Sequence, residues 1–338
     1  MAGECADRLV AQRFCSLWQG RILARGGEIC AQTHSHTDRA DRYHRRRGGA
    51  LNEAEKKSST VRALLLEAAR ILPTPEARLE AEILLVFVLD VSRTWLFAHA
   101  DDGIDAVRIE RYRGLLAARA AGQPIAYLTG RREFWSLPLQ ITADTLIPRA
   151  DTELLVEQAL LHIPQSGIVD ILDLGTGSGA IALALAHERP QARVVATDLS
   201  CAALAVARGN TQQLGIGNIR FCAGSWFSAI EPQYFDVIVS NPPYIRTSDH
   251  HLGEGDLRFE PISALASGVD GLDAIREIVY DARAYLKPDG WLLFEHGWDQ
   301  AAEIRALLRK SGFVDIATSR DIEQRDRVTS GKLGRIGE

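Results

Sequence analysis

The sequence predicts an α/β protein: a Rossmann-like, mostly parallel sheet of seven strands with helices on both faces, preceded by a small helical bundle and a β-hairpin linker. Two observations carry that prediction. From Asp151 onward, short apolar runs bounded by Asp, Ser or Gly alternate with helical stretches, which is the pattern of βαβ units. Where the first of these runs gives way to a helix stands Asp173-Leu174-Gly175-Thr176-Gly177-Ser178-Gly179. Glycines at such a place allow a tight turn and close approach of the backbone to a ligand, and the helix N-terminus behind them offers free N–H groups.

The elements follow in order. Strands are expected at 169–174, 193–198, 218–222, 235–240, 290–295, 313–319 and 326–333, the last pairing antiparallel. Helices are expected at about 151–162, 178–188, 200–213, 272–286 and 299–311. Ahead of this domain (151–338), residues 124–150 read as a hairpin linker, with 127–130 and 134–141 extended around a Gly-Arg-Arg turn. Residues 55–123 read as a helical domain. Ser59 or Thr60 caps a first helix ending near Leu72, and Pro73-Thr74-Pro75 opens a second whose apolar face is Leu79, Ile83, Leu84 and Phe87. Further helical segments are expected near 93–99 and 105–121. Residues 1–54 lack sustained periodicity and are expected to be a mostly disordered arm. Its histidines (His34, His36, His44) and its Arg45-Arg46-Arg47 run are read as solvated tail, and residues 8–24 could hold a short helix.

Composition excludes several classes. No apolar run approaches the roughly 20 residues that span a bilayer, and the N-terminus lacks a signal-peptide pattern, so a cytoplasmic protein with no membrane partner is expected. The five cysteines are odd in number and form no CxxC pair; reduced thiols and no metal site are expected. Residues 1–50 carry nine Arg against five acids, so the remainder is more acidic than the overall charge of −5. An acidic body weighs against broad nucleic-acid binding.

The chemistry-bearing tetrapeptide is Asn241-Pro242-Pro243-Tyr244, directly after the apolar run 235–240. Asn241 precedes proline and is biased to extended backbone, and two prolines stiffen the turn. The Asn241 side-chain oxygen and the Pro242 carbonyl are then rigid acceptors for a planar NH₂ group, with the Tyr244 ring as a wall. The glycine loop with Asp198, about 20 residues on, also satisfies a loose dinucleotide fingerprint. The Gly-x-Gly-x-Gly form after Asp173, combined with the amide-holding turn, favours S-adenosylmethionine over a nicotinamide dinucleotide. In that frame Asp198 accepts the ribose hydroxyls and Trp226 packs against the adenine. His250 and His251 read as exposed loop, and His296 as a satisfied core residue.

With these residues assembled, 55–333 resembles the HemK-type (PrmC-like) protein-glutamine N5-methyltransferases, in their release-factor branch. The resemblance rests on Gly122-Gln-Pro-Ile-Ala-Tyr127, Gly130-Arg-Arg-Glu-Phe-Trp135, Leu146-Ile-Pro-Arg149 with Asp151-Thr-Glu153, Asp173–Gly179, Val239-Ser-Asn-Pro-Pro-Tyr244, Arg258-Phe-Glu-Pro261 and Glu295-His-Gly297. It implies a class I S-adenosylmethionine-dependent catalytic domain and a helical domain that helps hold a protein substrate. The implied reaction is methylation of the Gly-Gly-Gln glutamine of peptide-chain release factors. By motif position, Gly175, Thr176, Gly177, Ser178, Gly179, Asp198, Trp226 and Asn241 would bind S-adenosylmethionine. Asn241, Pro242, Pro243 and Tyr244 would hold the glutamine, with Asn241, Pro242 and Tyr244 catalytic. The family often has an acid where Ser225 stands and a proline where Ala150 stands. A monomer without a nucleic-acid partner is expected. The alternatives left open are a ribosomal-protein glutamine and an exocyclic amino group of DNA or RNA.

Overall fold

The protein is seen in a computed structural model that describes residues 59–334. The expected arm, with its histidines and arginine run, lies outside them. Residues 59–64 and 101–103 belong to a small unit of their own. Within it Thr60 bridges to Gly103, and the Arg62 guanidinium meets Asp101 at 2.9 Å.

Five helices come first: α1 (Val61–Ile71), α2 (Ala77–Leu89), α3 (Arg93–Ala98), α4 (Ala106–Ala120) and α5 (Ile125–Thr129). Two of their starts, those of α3 and α4, are capped by side chains at the position where Ser and Asp are favoured. Ser92 Oγ accepts from Trp95 N at 3.2 Å, and Asp105 Oδ1 accepts from Arg108 N at 3.0 Å. The buried face of α2 is Ala81, Leu84, Leu85 and Val88, whereas Leu79 is exposed. The expected stripe is thus partly misplaced. The face is set by α4, whose buried Tyr112 donates its hydroxyl to the Ala81 carbonyl at 3.1 Å.

The linker also corrects expectation. Residues 127–129 are helical, in α5, where Pro124 starts the turn and Gly130 ends it at φ 67°. The hairpin is β1 (Arg131–Phe134) against β2 (Leu137–Gln140). Its turn is Trp135-Ser136, with φ of 53° and 57°, rather than Gly-Arg-Arg. Both central residues therefore have positive φ, as a two-residue hairpin loop needs. Neither is the usual Asn or Gly, and outside contacts hold them there: Trp135 donates its N–H to Glu153 and its indole N–H to Glu188, each at 2.8 Å.

Seven strands make the main sheet: β3 (Asp170–Leu174), β4 (Arg193–Asp198), β5 (Ile219–Ala223), β6 (Phe235–Ser240), β7 (Leu286–Glu295), β8 (Phe313–Arg320) and β9 (Asp326–Leu333). Their order is β5-β4-β3-β6-β7-β9-β8. Only β9 runs antiparallel to its neighbours, β7 and β8. The helices are α6 (Glu153–Leu161), α7 (Ala180–Glu188), α8 (Cys201–Leu214), α9 (Asp273–Ala282) and α10 (Ala301–Lys310). This is a Rossmann-like arrangement, as the sequence predicts. Strands covered on both faces alternate between two cores: Ile171, Val237 and Val239 enter one, Leu172 and Ile238 the other. That is why they read as continuous apolar runs. Helix α9 stops at Ala282, earlier than expected, because Phe235 N already bonds the Tyr285 carbonyl at 2.8 Å. Strand β7 consequently begins at Leu286, and Asp289 bends it with φ 64°.

From β3 the chain passes to β4 and β5 on one side, and later to β6 and β7 on the other. Such a reversal opens a crevice beyond the carboxyl ends of the strands. Leu174 of β3 pairs with Ser240 of β6. The glycine loop and the Asn-Pro-Pro-Tyr turn, 66 residues apart at this pair, therefore leave the sheet side by side. No described helix is long and apolar enough to cross a membrane.

Candidate active site

Ser240 Oγ donates to the Leu174 carbonyl at 2.7 Å and ties the two strand ends together. The loop after β3 then folds over β4: Gly175 N and Thr176 N both donate to the Thr197 carbonyl at 2.9 Å. Gly175 has φ 73°, and a Cβ there would press the Trp226 ring at 3.2 Å. Gly177 has φ 56° and opens onto empty space. Thr176 and Ser178 are buried. Thr176 Oγ1 turns inward to Asp173 at 2.6 Å, and the Ser178 carbonyl accepts from Asn210. Gly179 begins α7.

Asp198, at the end of β4, accepts from Gly177 N on Oδ2 and from Ser200 N on Oδ1, both at 2.8 Å. Burial pushes its carboxyl up, and these two N–H groups partly oppose that. Ser200 itself, not Asp198, caps α8. Gly175, Gly177, Asp198, Ser200, Asn241 and Pro243 share one cavity of about 100 Å³. An ionised carboxylate has about four acceptor positions, so Asp198 keeps capacity for two hydroxyls. The open face of Gly177, the free capacity of Asp198 and the Trp226 ring over Gly175 fit a nucleoside-bearing donor. Trp226 is half-buried beside the buried Phe227 and does not line this cavity.

Under the loop, burial lifts the Asp173 carboxyl from 3.8 to about 7. A folded value above the unfolded one means stability that is present at low pH and lost as pH rises toward 7. Asp173→Asn keeps an acceptor for Thr176 but removes the titration. In ligand-free protein the variant is expected to gain stability relative to wild type as pH rises from about 4 to about 7. Urea unfolding at several pH values checks this; a pH-independent difference would refute it.

The turn after β6 faces a second, smaller cavity of about 60 Å³, lined by Leu146, Arg149, Asn241, Tyr244, Leu257 and Glu295 among others. Asn241 borders both cavities. Its Nδ2 donates to Thr152 Oγ1 at 3.2 Å. Tyr244 donates its hydroxyl to Glu295 Oε1 at 3.2 Å; burial and the Glu295 charge raise the phenol well above its usual value. Glu295 is buried at the end of β7, and burial pushes its carboxyl up, against Thr152, Arg327 and Tyr244. Pro242 is buried and lines neither cavity.

Several partners at this site had no role assigned from the sequence. Glu260, also buried, accepts from Ile147 N at 3.0 Å and pairs with Arg149, so it holds the segment that walls the smaller cavity. Nearby, Arg119 joins Glu80 at 2.7 Å to Asp256 at 2.9 Å. Arg258 donates to the Ala121 carbonyl at 2.8 Å, over Gly122, whose φ of +97° and contact with Arg258 leave no room for a side chain. The motif segments around Gly122, Leu146 and Arg258 thus meet in space. Their signal in the sequence was membership of the motif set alone. His296 is buried, with Nε2 at 2.8 Å from Thr329 Oγ1. Among the described residues, the donors grouped as a metal would need are Asp249, His250 and His251; the two exposed histidines open a short 3₁₀ helix, His250–Gly253, rather than lying on a loop, and Asp249 Oδ1, which caps it, is already taken by His251. A larger hollow of about 560 Å³ lies at the amino ends of β3, β4 and β5, lined by Asp170, Arg193, Asn218 and Arg220 among others. It is remote from both motifs.

Comparison with known proteins agrees with this architecture. Residues 166–329 match a methyltransferase domain family, and residues 62–130 match the PrmC N-terminal domain family. The chain is 54% identical to the release factor glutamine methyltransferase of Xylella fastidiosa (strain 9a5c), over 75% of this chain and 93% of that protein. It is 46% identical to the Escherichia coli K12 protein of the same name, over 79% and 97% respectively. A crystal structure of the release factor-specific protein-(glutamine-N5) methyltransferase from Alicyclobacillus acidocaldarius shares 28% identity with a TM-score of 0.36, covering 58% of this chain and all of that one. The domain over 166–329 is therefore a methyltransferase domain, and the chain belongs to the release factor glutamine methyltransferase family.

Proposed function

We propose that this protein transfers a methyl group from S-adenosylmethionine to the side-chain amide nitrogen of the glutamine in the Gly-Gly-Gln motif of peptide-chain release factors. The observation that carries the reading is the meeting of two cavities at one asparagine. One is lined by Gly175, Gly177 and Asp198, the other by Tyr244 and Glu295, and Asn241 belongs to both.

When bound, S-adenosylmethionine supplies an electrophilic methyl group on a sulfonium. Asp198 holds the ribose hydroxyls, the glycine loop accommodates the chain next to it, and Trp226 flanks the adenine. Thr176, Ser178 and Gly179 support the loop from beneath. An amide nitrogen is a poor nucleophile because its lone pair is delocalised into the carbonyl. The task of the protein is therefore placement and electronic help. Placement alone can be worth roughly 7–11 kcal/mol. Asn241 Oδ1 and the Pro242 carbonyl accept the two amide N–H groups and stabilise positive charge as it grows on nitrogen. Pro243 stiffens the turn, and Tyr244 walls the planar amide and excludes water. The proton lost afterwards passes to water.

Residues 55–123 are proposed as the substrate-recognition domain, 124–150 as the linker and 151–338 as the catalytic domain. The enzyme is proposed to act as a cytoplasmic monomer. The test is a radiolabelled S-adenosylmethionine assay on purified release factor, ribosomal protein and DNA in parallel. Label on the release factor, lost when its Gly-Gly-Gln glutamine is replaced, is expected. Label on DNA or ribosomal protein alone would overturn the reading.

A further inference from the structure

An asparagine amide has one accepting end and one donating end, and only the oxygen can receive an N–H from an amide substrate. Which end faces the acceptor cavity is set by whatever meets the other end. At Asn241 that partner is Thr152, a buried residue in the 3₁₀ turn 150–152 that leads into α6. The hydroxyl of Thr152 stands beside Glu295 and favours its charged form, although Glu295 Oε2 has no well-aligned partner. In the Asn241–Thr152 contact the Thr152 oxygen is the acceptor, so the hydroxyl hydrogen points elsewhere, and the neighbouring Glu295 carboxyl can receive it. We infer that Thr152 is a positioning residue that fixes the amide orientation of Asn241, turning Oδ1 toward the substrate. The inference rests on the proposed role of Asn241.

Three features single out Thr152. It comes from outside both strong motifs, 89 positions before Asn241. Its side chain is turned inward, so it touches neither cavity. Helix α6 begins without a side-chain cap from it, so its hydroxyl is not occupied in starting that helix.

The test compares Thr152→Val, which keeps shape and removes the hydroxyl, with Thr152→Ser, which keeps the hydroxyl. Both are assayed as full-length enzyme on release factor, alongside Asn241→Ala. For Thr152→Val, kcat is expected to fall about tenfold or more, the size of one lost hydrogen bond to a buried group. Its KM for release factor and its S-adenosylmethionine affinity by calorimetry are expected to stay within a few-fold. Thr152→Ser is expected to restore most of kcat. Equal losses in the Ser and Val variants would overturn the inference, because a retained hydroxyl would then fail to rescue the reaction. A Thr152→Val enzyme as active as wild type, beside an inactive Asn241→Ala, would overturn the inference and leave the reading of Asn241 intact. An active Asn241→Ala would overturn both. Should Thr152→Val fail to fold, Thr152→Ala against Thr152→Ser tests the same hydroxyl.

Discussion

Asn241→Ala is expected to abolish most methyl transfer while leaving S-adenosylmethionine affinity within a few-fold of wild type. Asn241 stands where the two cavities meet, and its Nδ2 is already engaged by Thr152. What the substitution takes from the reaction is therefore the accepting oxygen. That oxygen matters most where charge develops, since the amide nitrogen gains positive character only as the methyl is transferred. Losing one preorganised partner of this kind costs on the order of 10²–10³-fold in kcat. In the proposed reading donor affinity rests mainly on Asp198 and the glycine loop, which the substitution leaves in place. Single-turnover labelling of release factor, with calorimetry of donor binding, separates the two. Retained turnover would sink the proposed mechanism.

The second large effect is expected in binding. Asp198→Ala should weaken S-adenosylmethionine by about 10²-fold or more, because hydrogen bonds to a charged group contribute roughly 1.5–3 kcal/mol each. The carboxylate would accept two ribose hydroxyls while also receiving Gly177 N and Ser200 N. Its removal thus takes away both the ribose acceptor and the brace on the glycine loop. Turnover at saturating donor should recover much of its rate, in contrast to Asn241→Ala. Unchanged affinity by calorimetry would refute the assignment.

The sequence disclosed the sheet well for a physical reason. Strands such as 170–174 and 235–240 are covered on both faces, so apolar residues stand in unbroken runs, Ile171-Leu172 and Val237–Val239, with polar residues on either side. The two strong motifs were legible because loops at the carboxyl ends of such strands carry unusual residues in short windows. What escaped depends on partners distant in the chain. The Trp135-Ser136 turn carries no local glycine signal and is held by Glu153 and Glu188. The buried face of α2 follows Tyr112 of α4. Residues 127–129 read as strand from their Tyr, Leu and Thr, yet Pro124 and Gly130 enclose them in a single helical turn. Thr152, Glu260 and Glu295 sit in recognisable segments, but their work lies in contacts that cross 51 to 113 positions. No pattern of spacing predicts such pairings.

Strand β9 carries a consequence for how the molecule is assembled. It is made after both of its neighbours, yet lies between them, pairing Val328–Lys332 with Glu295–Trp291 of β7 and lining β8 along its other side. Until it arrives, β7 has an open edge and β8 has no place in the sheet. Unpaired edges of this kind invite association with other chains, and pairings that wait on late segments are slow to form. A chain shortened before Asp326 would keep the glycine loop, Asp198 and the Asn-Pro-Pro-Tyr turn in its sequence, and would still present that open edge next to the Glu295 that anchors Tyr244. The integrity of the catalytic crevice is thus tied to synthesis of a strand that contributes no residue to either cavity.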